Sequence, residues 1–250
     1  MITGIQVSSF KPVLTTESEV EFAFARMRDM GCTTVQTQWI DPAVSPVFVG
    51  EICRKYGIGS VSVQDFYERV LADKAYYFGL NAATNGTWVC VSRIPDRLRS
   101  REGITAYVAE LREMSRELEQ IGQKLCFHPV SADFAPFDGV EQPVETLLAE
   151  MPELMICFDL YHLHKTGRNM TEYLRRYRGR VVMVHFKDYR LNPDGTEALV
   201  PAGQGEIDWT GVAEACVETG VEYGFAEQER WEGDPFHRLK EAFDWLNGQL

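Results

Sequence analysis

The sequence predicts an α/β protein that folds as a single-domain (β/α)8 TIM barrel. Eight short apolar stretches alternate with helix-forming segments over 250 residues, a length that one such barrel commonly fills. No GxGxxG segment follows the first stretch, which argues against the main alternative, an open doubly wound sheet. No linker, low-complexity segment or repeat divides the chain, so we expect residues 1–250 to form one domain.

The eight predicted strands are short runs rich in β-branched and aromatic residues, most of them bounded by glycine or polar turns. The seventh, residues 181–185, is the clearest because four apolar residues, VVMV, lead directly to a histidine. Such an apolar run is typical of a strand that is buried on both faces, as in a parallel sheet. The other predicted strands cover residues 2–7, 33–38, 58–63, 87–92, 124–128, 154–159 and 222–227.

Helical periodicity accounts for most of the intervals between the strands. The longest predicted helix, residues 101–121, has an apolar face typical of core packing and a charged face typical of solvent contact. Asp208 is the expected N-cap of a later helix, and Pro235 suits the first turn of the last one. The remaining predicted helices cover residues 18–30, 47–56, 65–80, 168–177, 208–219 and 235–246.

Composition and charge disfavour several classes of function. Hydrophobic residues make up 45% of the chain, enough for an ordinary globular core. The formal net charge of −12 disfavours nucleic acid and anionic membranes as partners, because both repel an acidic surface. No stretch approaches the roughly 18 apolar residues of a membrane span, and the N-terminus lacks a signal-peptide pattern. The six cysteines include no CxxC pair, so we expect free thiols and a cytoplasmic location.

Four of the predicted strands end in side chains that can bind a metal ion. They are His128, Asp159, His185 and Glu227, at the ends of the last four strands. Because the carboxyl ends of all barrel strands meet on one face, we expect these side chains to converge. Two imidazoles and two carboxylates suit a divalent ion such as Mn²⁺, Zn²⁺ or Co²⁺ better than Ca²⁺, which prefers oxygen ligands alone.

Several other side chains are candidates for substrate contact near the same face. His162 follows Asp159 by three residues, a spacing that could carry both side chains to the rim of the pocket. Arg93 comes just after the fourth strand and could meet an anionic or polyhydroxyl substrate, although a surface ion pair explains it equally well. Trp39 could provide an aromatic floor for a sugar, and Lys187 lies just beyond the seventh strand, where it would support the pocket rim.

Four segments make the chain resemble the sugar phosphate isomerase/epimerase superfamily of xylose-isomerase-like TIM barrels. These segments are FDLYHLHKTG, RYRGRVVMVHFKD, PAGQGEIDW and GFAEQE, and the similarity is clearest from about residue 87 to the C-terminus. The resemblance implies one divalent metal ion on the C-terminal face of the barrel, most often Mn²⁺, with Zn²⁺, Co²⁺ or Mg²⁺ as alternatives. By position, Asp159, His185 and Glu227 match the ligands of the family, and His162 matches a histidine that contacts substrate or a second metal.

His128 departs from the pattern of the family, which commonly has glutamate at this position. Many epimerases of the family use two glutamates, one on each side of the substrate, to remove and return a proton. Here Glu227 could fill one of these roles, while the other would fall to an imidazole, or the reaction would need one base only.

The resemblance predicts a metal-dependent isomerase or epimerase of a sugar, keto-sugar or related polyol, with Glu227 and His162 as catalytic residues. The alternatives are a lyase of the inosose-dehydratase kind on the same metal site and a catalytically weakened barrel that binds carbohydrate. An abasic-site endonuclease is the least favoured, because such an enzyme needs more metal ligands and a positive groove. Barrels of this family often pair, so a homo-oligomer stays open.

Overall fold

Eight parallel strands close into a barrel in the computed structural model of the chain, which describes residues 1–249. Going round the barrel, the order is β1, β2, β3, β4, β5, β6, β7 and β10, with β10 pairing back to β1. A separate antiparallel hairpin, β8 and β9, follows β7. The strands are β1 Ile2–Gln6, β2 Thr34–Gln38, β3 Gly59–Phe66, β4 Trp88–Ser92, β5 Lys124–His128, β6 Met155–Asp159, β7 Val181–Phe186, β8 Asp188–Leu191, β9 Glu197–Val200 and β10 Tyr223–Ala226.

Helices cover the outside of the barrel, as the alternation of strands and helices predicts. The first begins at a capping box, in which Thr16 accepts from the N–H of Glu19 and the Glu19 carboxylate accepts from that of Thr16. The helices are α1 Glu17–Asp29, α2 Pro46–Tyr56, α3 Tyr67–Ala72, α4 Lys74–Ala83, α5 Arg101–Gln120, α6 Pro143–Glu150, α7 Leu160–His164, α8 Met170–Arg176, α9 Val212–Thr219 and α10 Pro235–Asn247. The (β/α)8 TIM barrel prediction is therefore confirmed.

The prediction of a single helix over residues 65–80 is wrong in two respects. Strand β3 continues through Phe66, and the following helical stretch is divided at Asp73. Asp73 has an extended φ of −142° and its side chain accepts a hydrogen bond from the N–H of Tyr76, so it starts a new helix, α4. An aspartate side chain can accept a hydrogen bond from a nearby backbone N–H and so interrupt a helix. The periodicity of apolar residues does not reveal such an interruption.

The prediction that Asp208 caps a helix is also wrong. Its side chain accepts from the N–H of Thr210 in a turn, and α9 begins only at Val212, after Gly211 with φ of 72°. The β8–β9 hairpin and the short helices α6 and α7 were not predicted, because none carries a long enough periodic pattern.

Sulfur-containing and aromatic side chains of the strands form a buried cluster inside the barrel. Cys90, Cys126, Cys157, Met183 and Phe225 belong to one buried cluster. All six cysteines of the chain are free and buried, in agreement with the expectation of unpaired thiols. Over residues 1–249, the helices include none that is both long enough and apolar enough to cross a membrane.

Candidate active site

Three side chains of types that can bind a metal ion meet at the carboxyl ends of β6, β7 and β10. Asp159 ends β6, His185 lies one residue before the end of β7, and Glu227 directly follows β10. One ligand atom from each lies within 4.8 Å of the others, and the three residues are at most 3% exposed. Buried carboxylates and imidazoles need a partner that compensates their charge or polarity, so this cluster is the candidate site.

The carboxylates of Asp159 and Glu227 each accept a hydrogen bond at one oxygen, and the second oxygen of each faces the centre of the cluster. Oδ1 of Asp159 accepts a hydrogen bond of 3.0 Å from the backbone N–H of His162, at the start of α7. Oε1 of Glu227 accepts a hydrogen bond of 2.8 Å from the hydroxyl of Ser8, which follows β1. The free oxygens are therefore Oδ2 of Asp159 and Oε2 of Glu227.

The imidazole of His185 is oriented by Gln36 of β2. Nε2 of His185 lies 2.6 Å from Oε1 of Gln36, which also accepts a hydrogen bond of 2.7 Å from Nε2 of Gln6. We assign a proton to Nε2 from this contact, so Nδ1 is the nitrogen that faces Oε2 of Glu227, at 2.9 Å. A buried acceptor behind a metal-binding histidine is the arrangement that fixes its ring and its tautomer.

Lys187 places an ammonium between the two free carboxylate oxygens. Its Nζ lies 3.0 Å from Oδ2 of Asp159 and 3.3 Å from Oε2 of Glu227, and it donates a hydrogen bond of 2.8 Å to Oε1 of Glu229. Burial disfavours this charge, but the three carboxylates raise the pKa of Lys187 well above its usual value. Lys187 thus adds one positive charge to a site that contains three carboxylates.

The pKa values of the central groups follow from burial opposed by close charges. Burial raises the pKa of Asp159, but Lys187 and the histidines outweigh it and lower the pKa to about 2. Burial is likewise outweighed at Glu227, whose pKa Lys187 and His185 hold well below its usual value. Burial lowers the pKa of His185, yet Cys157 and Glu227 raise it well above 6.5. Both carboxylates are therefore ionised, and His185 is an imidazolium whose second proton, on Nδ1, would leave when a metal ion binds there.

His128 approaches the same cluster from β5. Its Nδ1 lies 3.1 Å from the hydroxyl of Ser92, and its ring centre is 4.9 Å from that of His185. Burial, followed by the nearby charge of His185, lowers the pKa of His128 to about 3, so the imidazole is neutral. With Cys157 and His185 it forms a second group whose ligand atoms lie within 4.8 Å of one another. His185 is common to the two donor groups.

Unpartnered polar atoms concentrate at this site. Within residues 1–249, five buried atoms of the cluster make no hydrogen bond, although some lie about 3 Å from an opposite charge. Four of them belong to residues of the two donor groups, and the fifth belongs to His162. Buried donor atoms without a hydrogen-bond partner, on residues whose ligand atoms lie within 4.8 Å of one another, suit a divalent ion, so the residues present fit a metal. The five atoms are His128 Nε2, Asp159 Oδ2, His162 Nδ1, His185 Nδ1 and Glu227 Oε2.

The remaining predicted residues lie at different distances from the cluster. The His162 side chain is 23% exposed and its Nε2 lies 3.7 Å from Oδ2 of Asp159, a position at the rim. Trp39 follows β2 with a positive φ of 61°, and its ring packs against Phe66 and under the ammonium of Lys11. It is half-buried, with its ring near the carboxyl ends of β2 and β3.

Arg93 forms the surface ion pair that was the alternative to substrate binding. Its Nη2 lies 3.2 Å from Oδ1 of Asp96, and the Arg93 side chain is 43% exposed. Its backbone has a φ of 72°, and its N–H donates to the carbonyl of His128, so the chain turns sharply beside the site. No contact described for residues 1–249 joins its guanidinium to the donor cluster.

Ser8, Gln36, Cys157 and Glu229 contact the central side chains but were not singled out from the sequence. Ser8 and Gln36 orient Glu227 and His185, and both come from the first third of the chain. The TVQTQ pattern of β2 could have indicated Gln36. In this buried strand glutamine recurs at every second position, so both glutamine side chains lie on the same face of the sheet. Cys157 resembles the other buried thiols of the barrel in sequence and carries no such signal.

Asp188 explains the spacing between the VHFKD and GQGEIDW segments. It is fully buried, and its Oδ2 accepts hydrogen bonds from the N–H groups of Gly203 and Gly205 and from Nε1 of Trp209. A Cβ atom on Gly205 would lie 2.1 Å from Oδ1 of Asp188, so the loop can approach only without a side chain there. Asp188 therefore anchors the loop after β9, and both of its oxygens are occupied by donors outside the Asp159, His185 and Glu227 cluster.

Two cavities at the ends of the barrel are lined by residues other than Asp159, His185 and Glu227. One of about 460 Å³ opens at the N-terminal end, near Ile58, Thr87 and Tyr223. Another of about 220 Å³ lies beside the ends of β3 and β4 and is lined in part by Phe66 and Arg93. We locate the chemistry at the donor cluster, because barrel enzymes carry their active sites at the carboxyl ends of the strands and the larger cavity is at the other end.

The family model described as "Xylose isomerase-like TIM barrel" matches residues 18–249. Curated protein sequences, by contrast, include no significant match.

Solved structures similar to this chain span nearly its whole length. A sugar phosphate isomerase/epimerase from Parabacteroides distasonis has a TM-score of 0.76 at 13% identity, over 97% of this chain and 92% of that one. A D-allulose 3-epimerase from Methylomonas sp. has a TM-score of 0.77 at 12% identity, over 100% and 98%. A probable 3-DHS dehydratase from Bacillus anthracis has a TM-score of 0.75 at 13% identity, over 99% of each chain. At such identities the likeness shows a common fold.

Proposed function

Because the chain belongs to the xylose isomerase-like TIM barrel family, we propose that it is a metal-dependent isomerase or epimerase of a sugar, keto-sugar or related polyol. The observation that carries the proposal is the convergence of Asp159, His185 and Glu227 at the carboxyl ends of neighbouring barrel strands. The names of two similar structures, a sugar phosphate isomerase/epimerase and a D-allulose 3-epimerase, support the substrate class.

Asp159, His185 and Glu227 would hold the metal ion, with the unpartnered Nε2 of His128 as a further donor. Two carboxylates with imidazole nitrogens suit Mn²⁺ and also accept Zn²⁺, Co²⁺ or Mg²⁺. When bound, such an ion polarises a substrate carbonyl and so acidifies the neighbouring C–H bond.

Glu227 is the residue that we assign to remove the proton. Its pKa lies well below the usual value, so the carboxylate is ionised at neutral pH. The hydroxyl of Ser8 donates to Oε1 and so orients the carboxylate, whose Oε2 would serve as metal ligand and base together. A base that is held in one orientation loses less conformational entropy when it reaches the reactive geometry.

His162 is the residue that we assign to move a proton at the rim. Burial, the largest influence, lowers the pKa of this imidazole, so it is neutral at pH 7 and has one nitrogen able to accept a proton. Its backbone N–H holds Asp159, which ties the rim to the cluster. Trp39 and Lys187 are proposed to contact the substrate from the ends of β2 and β7, and Arg93 is the weaker candidate because it pairs with Asp96.

A lyase that eliminates water is the second candidate function. The specific observation is that the position on β5 holds His128, a neutral imidazole, where a second carboxylate base would otherwise stand. An elimination needs one base on one side of the substrate, whereas an epimerisation needs a proton donor on the opposite side as well. One structural neighbour named as a probable dehydratase supports keeping this candidate.

The test is a panel of keto-sugars and keto-inositols incubated with the Mn²⁺-loaded protein in D₂O. Deuterium incorporation beside the carbonyl is expected for both candidates, and a product lighter by one water distinguishes the lyase. Glu227→Gln should abolish exchange, while Glu222→Gln, which alters an exposed carboxylate before the same strand, should not. A protein that binds no divalent ion and exchanges no proton across the panel would refute the proposal.

A further inference from the structure

The ammonium of Lys187 faces the same oxygen atoms that would bind the metal ion. Nζ lies 3.0 Å from Oδ2 of Asp159 and 3.3 Å from Oε2 of Glu227. These are the two oxygens left free once Ser8 and the N–H of His162 have taken the others. Two cations cannot both approach the same pair of oxygens closely, because they repel each other strongly at short distance in a buried site.

We propose that Lys187 competes with the divalent ion for Asp159 and Glu227, and that Glu229 receives the ammonium when the metal binds. The inference rests on the proposed metal site, and it assigns to Lys187 a regulatory role in metal affinity. In the metal-free protein the lysine stabilises two buried carboxylates that would otherwise repel each other.

Glu229 is suited to receive the ammonium for three reasons. Its Oε1 already accepts a hydrogen bond of 2.8 Å from Lys187, so little movement is needed. Its side chain is 35% exposed, whereas those of Asp159 and Glu227 are at most 4% exposed. It also lies outside the donor group formed by Asp159, His185 and Glu227. A displaced ammonium therefore keeps a carboxylate partner on the solvent side of the site.

The relocation also directs Lys187 toward the substrate. The ring centre of Tyr161 lies 5.8 Å from Nζ, and Glu229 accepts a hydrogen bond from the same ammonium. Oδ2 of Asp159 contacts both Nζ of Lys187 and Nε2 of His162, so a lysine held by Glu229 would keep its remaining N–H donors near the rim residue His162. Metal loading and the delivery of a hydrogen-bond donor to the substrate would then be one event.

The experiment is a measurement of Mn²⁺ affinity by calorimetry and by the EPR signal of free Mn²⁺, for the wild type and four variants. Lys187→Met should bind Mn²⁺ at least about tenfold more tightly, because one competing cation is gone. Glu229→Gln should bind it several-fold more weakly, because the displaced ammonium has lost its partner. The Lys187→Met/Glu229→Gln double variant should not show this weakening. Lys165→Met, which removes a lysine paired with Glu197 outside the cluster, should leave the affinity unchanged.

The double variant separates displacement from a simple field effect. If Glu229→Gln weakens Mn²⁺ binding equally in the wild type and in Lys187→Met, Glu229 acts only as a distant negative charge and the inference is overturned. Unchanged or weaker binding by Lys187→Met, with a wild type that does bind Mn²⁺, overturns it as well. Should Lys187→Met not fold, as judged by circular dichroism and thermal unfolding, Lys187→Gln provides the same comparison with a polar side chain.

Failure of the proposed function gives a different pattern. If Mn²⁺ binds Lys187→Met but not the wild type, the competition stands and the metal dependence of the natural chain is refuted. If neither folded protein binds Mn²⁺, Zn²⁺ or Co²⁺, the metal site itself is refuted and the inference with it.

Discussion

Asp159 and His185 occupy paired positions on the neighbouring parallel strands β6 and β7. The same register sets His185 beside Phe225, two residues before Glu227, on the other side of β7. The three donors therefore stand at adjacent strand ends of a closed barrel, where their geometry is imposed by backbone hydrogen bonds. A site built on strands in this way is rigid before any metal or substrate arrives.

Removing the acceptor behind His185 should weaken metal binding. In Gln36→Met the side chain keeps its length but loses Oε1, which lies 2.6 Å from Nε2 of His185. We expect Mn²⁺ affinity to fall roughly 10- to 100-fold, the usual effect of losing the residue that supports a metal-binding histidine. Calorimetry measures the Mn²⁺ affinity of the variant. An affinity equal to that of the wild type would show that other contacts hold the imidazole of His185.

Removing the hydroxyl that fixes Glu227 should affect turnover. Ser8→Ala leaves Oε1 of Glu227 without its donor, so the carboxylate can rotate. We expect kcat/KM with the active keto-sugar to fall roughly tenfold or more, with thermal stability changed little. Ser18→Ala, at an exposed serine of α1, is the matched control. Equal kcat/KM values for Ser8→Ala and the wild type would show that Ser8 does not orient Glu227 for catalysis.

Protonation of His128 should destabilise the metal-free protein below pH 6.5. Burial lowers the pKa of His128 to about 3 in the folded state, whereas it stays near 6.5 in the unfolded chain. The unfolded state therefore binds more protons between these values, and the free energy of unfolding falls as pH falls, by about 1.4 kcal/mol per pH unit from this residue.

Urea unfolding of wild type and His128→Gln between pH 6.5 and pH 5 measures this effect. Other groups that titrate in this window, such as Asp133, whose pKa burial raises to about 6, are present in both proteins, so the comparison isolates His128. The wild type should lose more stability than His128→Gln. Parallel pH dependences would mean that the imidazole of His128 is protonated in the folded protein.

Cobalt spectroscopy distinguishes the two donor groups that share His185. With Asp159, His185 and Glu227 as ligands, the Co²⁺-loaded protein should lack a thiolate-to-metal charge-transfer band, and Cys157→Ser should bind one metal ion like the wild type. Cys157 would belong to the metal site if the band is present in the wild type and absent in Cys157→Ser.

A methyl group at Gly205 should disturb the loop that Asp188 anchors. The added Cβ would lie 2.1 Å from Oδ1 of Asp188 and 2.3 Å from the carbonyl oxygen of Tyr189. We expect Gly205→Ala to lower the free energy of unfolding by about 1–3 kcal/mol, as overpacking does. Gly79→Ala in α4, where nothing lies within 4 Å of the new atom, should be neutral or slightly stabilising. Thermal unfolding of both variants provides the comparison.

The sequence by itself determined the barrel, the family and the four strand ends that approach the site. Alternating apolar strands and amphipathic helices are local patterns, and the parallel topology that they imply already requires the carboxyl ends of the strands to meet on one face. For that reason Asp159, His185 and Glu227 could be grouped before any distance was known, and the family prediction is confirmed over residues 18–249.

Only the tertiary structure decided which atoms face each other. The contact of Lys187 with Asp159 and Glu227 and the support of His185 by Gln36 depend on rotamers and on the register of the closed barrel. Gln36 and His185 are 149 positions apart in the chain. No local pattern specifies such a pair, because it arises only when the barrel closes and burial forces each polar group to find a partner.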